Sequence, residues 1–402
     1  MSKESNKISH VAHNYAPLNE GRSPLARGDG VWVWDKEGNK FLDFLSGYSA
    51  NNFGHRHPAI IEAAKTQLDT LTLTARAFDQ DQLEPYAADL AELTGKDKIL
   101  PMNTGAEAVE TAIKLSRKWG YEVKGIPENQ ANIIVMNENF HGRTTTIVSY
   151  STDPSAKNGF GPYTPGFRNV PYGDIEALKN AVDENTAAIL VEPIQGEAGV
   201  IVPPEGYLRD IRELCTKENV LFIADEIQSG FGRTGRIFAV EHEGVEPDIY
   251  ILGKALGGGV MPVSAVAANR DIMDVIKPGE HGSTFGGNPV ACAVGRAAIN
   301  LIKDPVLLEN VREQGEYMHG RLRKLIGLGV TAVRGRGLWA GIDIDPKLMD
   351  GHDAAERLYD KGVLAKDTHG STIRFSPPLI IEREQVDEGI DKLAEVLNEA
   401  RK

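Results

Sequence analysis

Asp225 closes the apolar run Val220-Leu-Phe-Ile-Ala-Asp225, and Lys254 follows a second one, Asp248-Ile-Tyr-Ile-Leu-Gly-Lys254. A carboxylate and an amine at the ends of two β-rich runs form the pair needed to operate pyridoxal 5'-phosphate. The lysine condenses with the cofactor aldehyde, while an aspartate facing the pyridine nitrogen keeps it protonated and lets the ring accept electrons. Most Asp and Lys residues are solvated turn residues. Position argues against that here, because ligands of open α/β sheets gather at the carboxyl ends of the strands. The pair points to carbon–nitrogen bond chemistry.

Asn103-Thr-Gly105-Ala106-Glu-Ala stands directly before a helical pattern with Val109, Ala112, Ile113 and Ser116 on one face. A helix start offers unpaired backbone N–H groups to an anion, so a phosphate fits at Gly105 and Ala106. Asn-Thr-Gly in isolation more often marks an ordinary capped helix, and it is Lys254 that favours phosphate. Gly253-Lys254-Ala255 lacks the earlier glycine and the following Ser/Thr of a nucleotide P-loop, which excludes that reading. His55-Arg-His57-Pro offers two imidazoles beside a helix-starting proline without further ligands, so structural polar contacts are expected and no metal is assigned.

These residues need a scaffold that presents strand ends on one rim. Between Pro58 and Gly287, β-rich runs (Asn132–Met136, Ala188–Val191, Leu221–Ala224, Ile249–Leu252) alternate with helical ones such as Ile175–Val182 and Tyr207–Glu218. That alternation predicts an α/β fold with a mostly parallel sheet covered by helices. Gly30–Asn39 and the following Lys40–Leu45 read as a hairpin. Pro289–Ile302 and 307–325 read as amphipathic helices, with further strands near 330–333, 338–344, 362–366 and 373–376. The expected organisation is an N-terminal segment of a small domain (1–50), a large domain (51–288) and a C-terminal α+β part of the small domain (289–402).

The 402 residues suffice for two or three domains at about 150 residues each. A net charge of -13 argues against a nucleic-acid surface and for small metabolites as partners. Two cysteines, Cys215 and Cys292, fit buried thiols of a reducing compartment. The opening residues lack the apolar core of a secretory signal, and no run is long enough to span a bilayer, so a soluble cytoplasmic protein without membrane contact is expected.

Asn103-Thr-Gly-Ala-Glu-Ala, Phe140-His-Gly-Arg143, Val191-Glu-Pro-Ile-Gln-Gly-Glu197, Ala224-Asp225-Glu-Ile-Gln228, Gly253-Lys254 and Gly282-Ser-Thr284-Phe-Gly-Gly-Asn-Pro resemble the class-III pyridoxal phosphate aminotransferases over nearly the whole chain. The family implies a fold-type-I homodimer with shared active sites and a small domain built from both chain ends. Lys254 would form the cofactor link, Asp225 would face the pyridine nitrogen, Gln228 would lie near the ring hydroxyl, and Phe140 would stack on the ring. Gly105 and Ala106 would hold the phosphate through backbone groups, and Thr284 would reach the phosphate bound by the partner subunit.

Asn14-Tyr15-Ala-Pro, Ser46-Gly-Tyr48-Ser-Ala and Ile373-Arg374-Phe-Ser-Pro-Pro most resemble the branch of that family acting on ornithine. The implied reaction moves the terminal amine of L-ornithine to a 2-oxo acid, 2-oxoglutarate first among them. Its products are glutamate 5-semialdehyde, which closes to pyrroline-5-carboxylate, and L-glutamate. Tyr15 and Arg143 would engage the α-amino and α-carboxylate ends of ornithine, and Tyr48 would position its chain. Arg374 would receive a carboxylate of the oxo acid and pair with Glu197 in between. The alternatives are acetylornithine or 4-aminobutyrate as amine donor, from which Tyr15 and Tyr48 tilt the reading away. A non-catalytic dimeric binding protein of the same fold would require loss of Lys254, Asp225 or the phosphate loop, and all three are present.

Overall fold

A computed structural model describes residues 10–402 other than 16 and 19. Fifteen strands among them form three sheets. In chain order they are β1 (Leu25–Asp29), β2 (Trp32–Asp35), β3 (Lys40–Asp43), β4 (Lys98–Met102), β5 (Asn132–Met136), β6 (Phe167–Val170), β7 (Thr186–Val191), β8 (Leu221–Asp225), β9 (Ile249–Leu252) and β10 (Ser264–Ala268). The remainder are β11 (Val330–Gly335), β12 (Ala340–Ile344), β13 (Val363–Leu364), β14 (Lys366–Thr368) and β15 (Thr372–Phe375).

The central sheet runs β4-β10-β9-β8-β7-β5-β6. Neighbours from β9 to β6 pair in parallel, while β10 is antiparallel to both β4 and β9. Every residue of β5, β7, β8, β9 and β10 is buried, as expected of strands covered on both faces. On one face the helix Gly105–Trp119 packs Val109, Ala112, Ile113 and Leu115 against Ile133, Val135, Ile223 and Ile251. On the other, the helix Tyr207–Glu218 packs Leu208, Ile211 and Cys215 with Ile134, Ile189 and Phe222. Each such Ile, Leu or Phe contributes about 1.5–3 kcal/mol. The sequence reading had not named β4, β6 or β10.

β1-β2-β3 is the expected hairpin with one further strand, closed by β13 in parallel, Val363 opposite Leu42. A third sheet, β11-β12-β15-β14, is antiparallel throughout. The helix Pro289–Ile302 has the expected bounds, with Asn288 as its cap. The next runs Pro305–Arg323 and not 307–325, because the Asp304 side chain caps Val306 N–H and Pro305 is preset for the first turn. His55 Nε2 meets Asp43 Oδ2 at 2.7 Å and the His57 ring caps Ala59 N–H, so both imidazoles make structural contacts. Cys215 and Cys292 are free and buried. No helix among the described residues is long and apolar enough to cross a membrane.

Arg233, fully buried, fastens these parts together. Its Nη1 donates to the carbonyls of Leu338 at 2.8 Å and Pro377 at 2.7 Å, and Nη2 donates to Asn52 Oδ1. Burial lowers its guanidinium to about 9, with only the charge of Asp43 opposing. Arg233→Ala orphans two buried carbonyls and leaves a cavity, and is expected to cost about 3–5 kcal/mol of unfolding free energy. Arg233→Met, which refills the volume without the charge, recovers part of it. Denaturant melts of the two variants check this, and an alanine variant within about 1 kcal/mol of the parent would contradict it.

Candidate active site

Asp225 is the last residue of β8, and Lys254 follows β9 by two positions, so parallel pairing brings both to the same sheet rim. Lys254 opens a short 3-10 turn with φ 46, a left-handed conformation seldom taken by a residue with a side chain. A cavity of about 200 Å³ lies at this rim. Gly105, Ala106, Phe140, Asp225, Gln228 and Lys254 all line it.

The helix Gly105–Trp119 points its start at the cavity. Thr104 and Glu107 form a capping box in which Glu107 Oε2 accepts from the Thr104 and Asn103 N–H groups, at 2.7 and 3.1 Å. The N–H groups of Gly105 and Ala106 stay open to an anion. The chain can pass close by because of Gly142, whose φ is 132 and where a Cβ would stand 3.0 Å from the Ala106 Cβ.

Asp225 is held from two sides. His141 Nδ1 lies 2.6 Å from its Oδ2, and Ile227 N–H donates to Oδ1 at 3.1 Å. Both His141 and Asp225 are buried. Sequence reasoning had left His141 without a role. Its only signal was adjacency to Phe140, and the Asp225 contact spans 84 residues.

Glu192, one residue beyond β7, was missed altogether. It is buried in the cavity wall, and one carboxyl oxygen accepts from Phe140 N–H at 3.1 Å. Burial, reinforced by the nearby Asp225 carboxylate, pushes its carboxyl well above the ordinary range. Burial pulls Lys254 below the ordinary ammonium range, against the charges of Glu197 and Asp225. The neutral amine is thereby favoured relative to that of a solvated lysine.

A second hollow adjoins the first, sharing Phe140, His141 and Gly142, and is walled by Arg143, Glu197, Lys366 and His369. Glu197 Oε1 meets Arg374 Nη1 at 2.5 Å, with Arg374 almost wholly buried at 2% exposure. Burial alone raises the Glu197 carboxyl, but the charge and hydrogen bond of Arg374 override it and hold it below the ordinary range. The Tyr48 ring lies 5.3 Å from the Arg374 guanidinium, and Arg143 sits 5.5 Å from the Phe140 ring.

Two expected site residues do not join this group within one chain. Tyr15 is 75% exposed on the turn His13–Tyr15, and its backbone N–H bonds Ala12 O. Thr284 is exposed in a different hollow, beside Leu73, Thr74, Arg76 and Ser283.

The residues at the inner cavity fit pyridoxal phosphate: a lysine of lowered basicity for the aldehyde, a buried carboxylate, an aromatic ring on the wall, and open N–H groups at a helix start for the phosphate. The family model of class-III aminotransferases matches residues 15–397. The chain is 56% identical over 386 residues to the ornithine aminotransferase of Oceanobacillus iheyensis, covering 96% of each chain. Among solved structures, it superposes with TM-score 0.94 on an ornithine aminotransferase from Toxoplasma gondii that has partial occupancy of PLP at its active site. That pair is 46% identical and covers 98% of this chain and 94% of that one. An acetylornithine aminotransferase from Elizabethkingia anophelis is also similar, 50% identical with TM-score 0.87, covering 97% of this chain and 96% of that one.

Proposed function

We propose, since the chain belongs to the class-III aminotransferase family, that it moves the terminal amine of L-ornithine to a 2-oxo acid, 2-oxoglutarate being the expected acceptor. The products are glutamate 5-semialdehyde, which closes to pyrroline-5-carboxylate, and L-glutamate. The observation that carries this reading is the pairing of half-buried Glu197 with buried Arg374 near Lys254, with Arg143 lining the same hollow as Glu197.

Bound pyridoxal phosphate supplies an aldehyde to receive the amine and a protonated ring that draws electrons from the substrate carbon. The chain does the rest. Lys254 Nζ would hold the cofactor through its aldehyde and, as a free neutral amine, would move the substrate proton. Phe140 would cover the ring, and Gln228 would stand near its hydroxyl. The N–H groups of Gly105 and Ala106 would hold the phosphate, joined in a homodimer by Thr284 of the partner subunit.

Two substrates share one pocket, and the ion pair separates them. Paired with Glu197, Arg374 is closed to the α-carboxylate of ornithine, which goes to Arg143, with Tyr15 at the α-amine and Tyr48 along the chain. When the oxo acid arrives, its carboxylate takes Arg374 bidentately and Glu197 turns away. We divide the chain into 1–50, 51–288 and 289–402, a reading supported by the β3–β13 pairing of the two ends.

A second reading, acetylornithine as donor, is favoured by the Elizabethkingia anophelis similarity. The absorption spectrum of the purified holoenzyme decides between them, recorded before and after L-ornithine without oxo acid, with N-acetylornithine in parallel. L-ornithine should bleach the cofactor's visible band and the acetylated compound should not. Bleaching by acetylornithine alone would remove the substrate assignment and leave the family.

A further inference from the structure

Glu192 enters none of the roles assigned so far, yet it stands in the cofactor cavity with a hydrogen-bonding pattern unlike its neighbour's. Asp225 has the His141 ring on one oxygen and Ile227 N–H on the other. Among the described residues Glu192 has a single donor, Phe140 N–H on Oε1, while Oε2 is buried without a partner and the carboxyl forms no ion pair, the nearby Lys254 acting on it only through its charge. An ionised carboxylate deprived of water needs several donors or a cation, and one N–H does not suffice. A carboxylic acid needs less, since one oxygen accepts and the other carries the proton. Two carboxyl groups facing one cavity also disfavour holding two charges.

We propose that Glu192 works as a neutral acid, its Oε2–H a hydrogen-bond donor aimed into the cofactor cavity, leaving Asp225 as the cavity's inner anion. The groups facing it are Asp225, Lys254, Glu197 and the phenols of Tyr150 and Tyr172, the latter also donating to the Glu192 carbonyl at 3.0 Å, with the backbone of Phe140 on the remaining side. Its neutrality has a consequence for Lys254. A second anion here would stabilise the ammonium and oppose the loss of basicity that frees the amine as a base. It would also repel a phosphate dianion approaching Gly105 and Ala106. Glu192 is thus a positioning residue for charge, and it acts on the proton held by Lys254.

Infrared spectroscopy of the purified holoenzyme at neutral pH reads this directly through the C=O stretch of protonated carboxyls, with ¹³C-glutamate labelling to separate Glu from Asp. Glu226 is also buried, with its carboxyl pushed up to about 7, so Glu226→Gln serves to remove its contribution. The expected result is a protonated-glutamate band that survives Glu226→Gln and disappears in Glu192→Gln. In Glu192→Gln, whose amide mimics the neutral acid, the pH midpoint of the cofactor's absorbance transition stays within about 0.3 of a unit.

Absence of any protonated-glutamate band in the Glu226→Gln protein would overturn the proposal, whether or not the Glu192 variant folds. So would a midpoint displaced in Glu192→Gln by about a full unit, since that requires a charge to have been removed. Neither readout involves the amine donor, so a failure here is distinct from a failure of the ornithine assignment.

Discussion

Replacing Lys254 by alanine is expected to lower kcat on the order of 10⁵-fold, the scale seen when a residue serving as both covalent anchor and base is removed. The fold should not suffer. Lys254 is an amine taken out of water at some cost, its basicity lowered by burial, and Glu197, whose charge acts on it, keeps its own partner in Arg374. Its removal relieves that desolvation, so the cofactor-free variant should melt no lower than the cofactor-free parent. Single-turnover kinetics on the folded variant separate the two effects. A Lys254→Ala protein retaining turnover within about tenfold would displace Lys254 from the chemistry.

Much of the scaffold was legible because burial on both faces writes itself into continuous apolar runs. β5, β7, β8 and β9 are such runs, and both Asp225 and Lys254 were found as the polar residues that end them. β10 escaped notice for the converse reason. Ser264-Ala-Val-Ala-Ala268 holds one β-branched residue among alanines, whose local preference is helical, and only its pairing on both sides with β4 and β9 makes it a strand. β6, Phe167-Arg-Asn-Val170, is an edge strand with two exposed polar residues and no apolar run to detect.

The site divides along a similar line. Motifs in sequence carried Gly105, Ala106, Phe140, Gln228, Glu197 and Arg374; the fold gathers the first four around one cavity, sets Glu197 in the adjoining hollow and brings Arg374 to it from β15. What no motif revealed is the support behind them. The His141–Asp225 contact depends on β5 and β8 being brought near each other across β7. Glu192 gains its character from burial, which local sequence does not encode. Tyr15 and Thr284 show another limit, since one chain leaves both exposed and apart from the cavity.

The Asp225–His141 contact sets up the second large effect. Asp225→Asn should reduce kcat by roughly 10³-fold, because an amide nearly equal in shape no longer offers a negative charge to hold the ring nitrogen protonated. Stability should fall by only about 1–2 kcal/mol, since the amide oxygen still accepts from Ile227 N–H and only the contact to the buried His141 is weakened. A residue kept for packing would lose stability and rate together, whereas a charge kept for chemistry loses far more rate than stability. His141→Asn gives the control, because it leaves the Asp225 charge and removes only its orienting partner, and should cost about 10-fold to 100-fold. Steady-state kinetics and thermal melts on the two variants, run on cofactor-loaded protein, check both numbers. If Asp225→Asn turned over no more slowly than His141→Asn, Asp225 would be serving as scaffold for the histidine and not as the counter-charge of the ring.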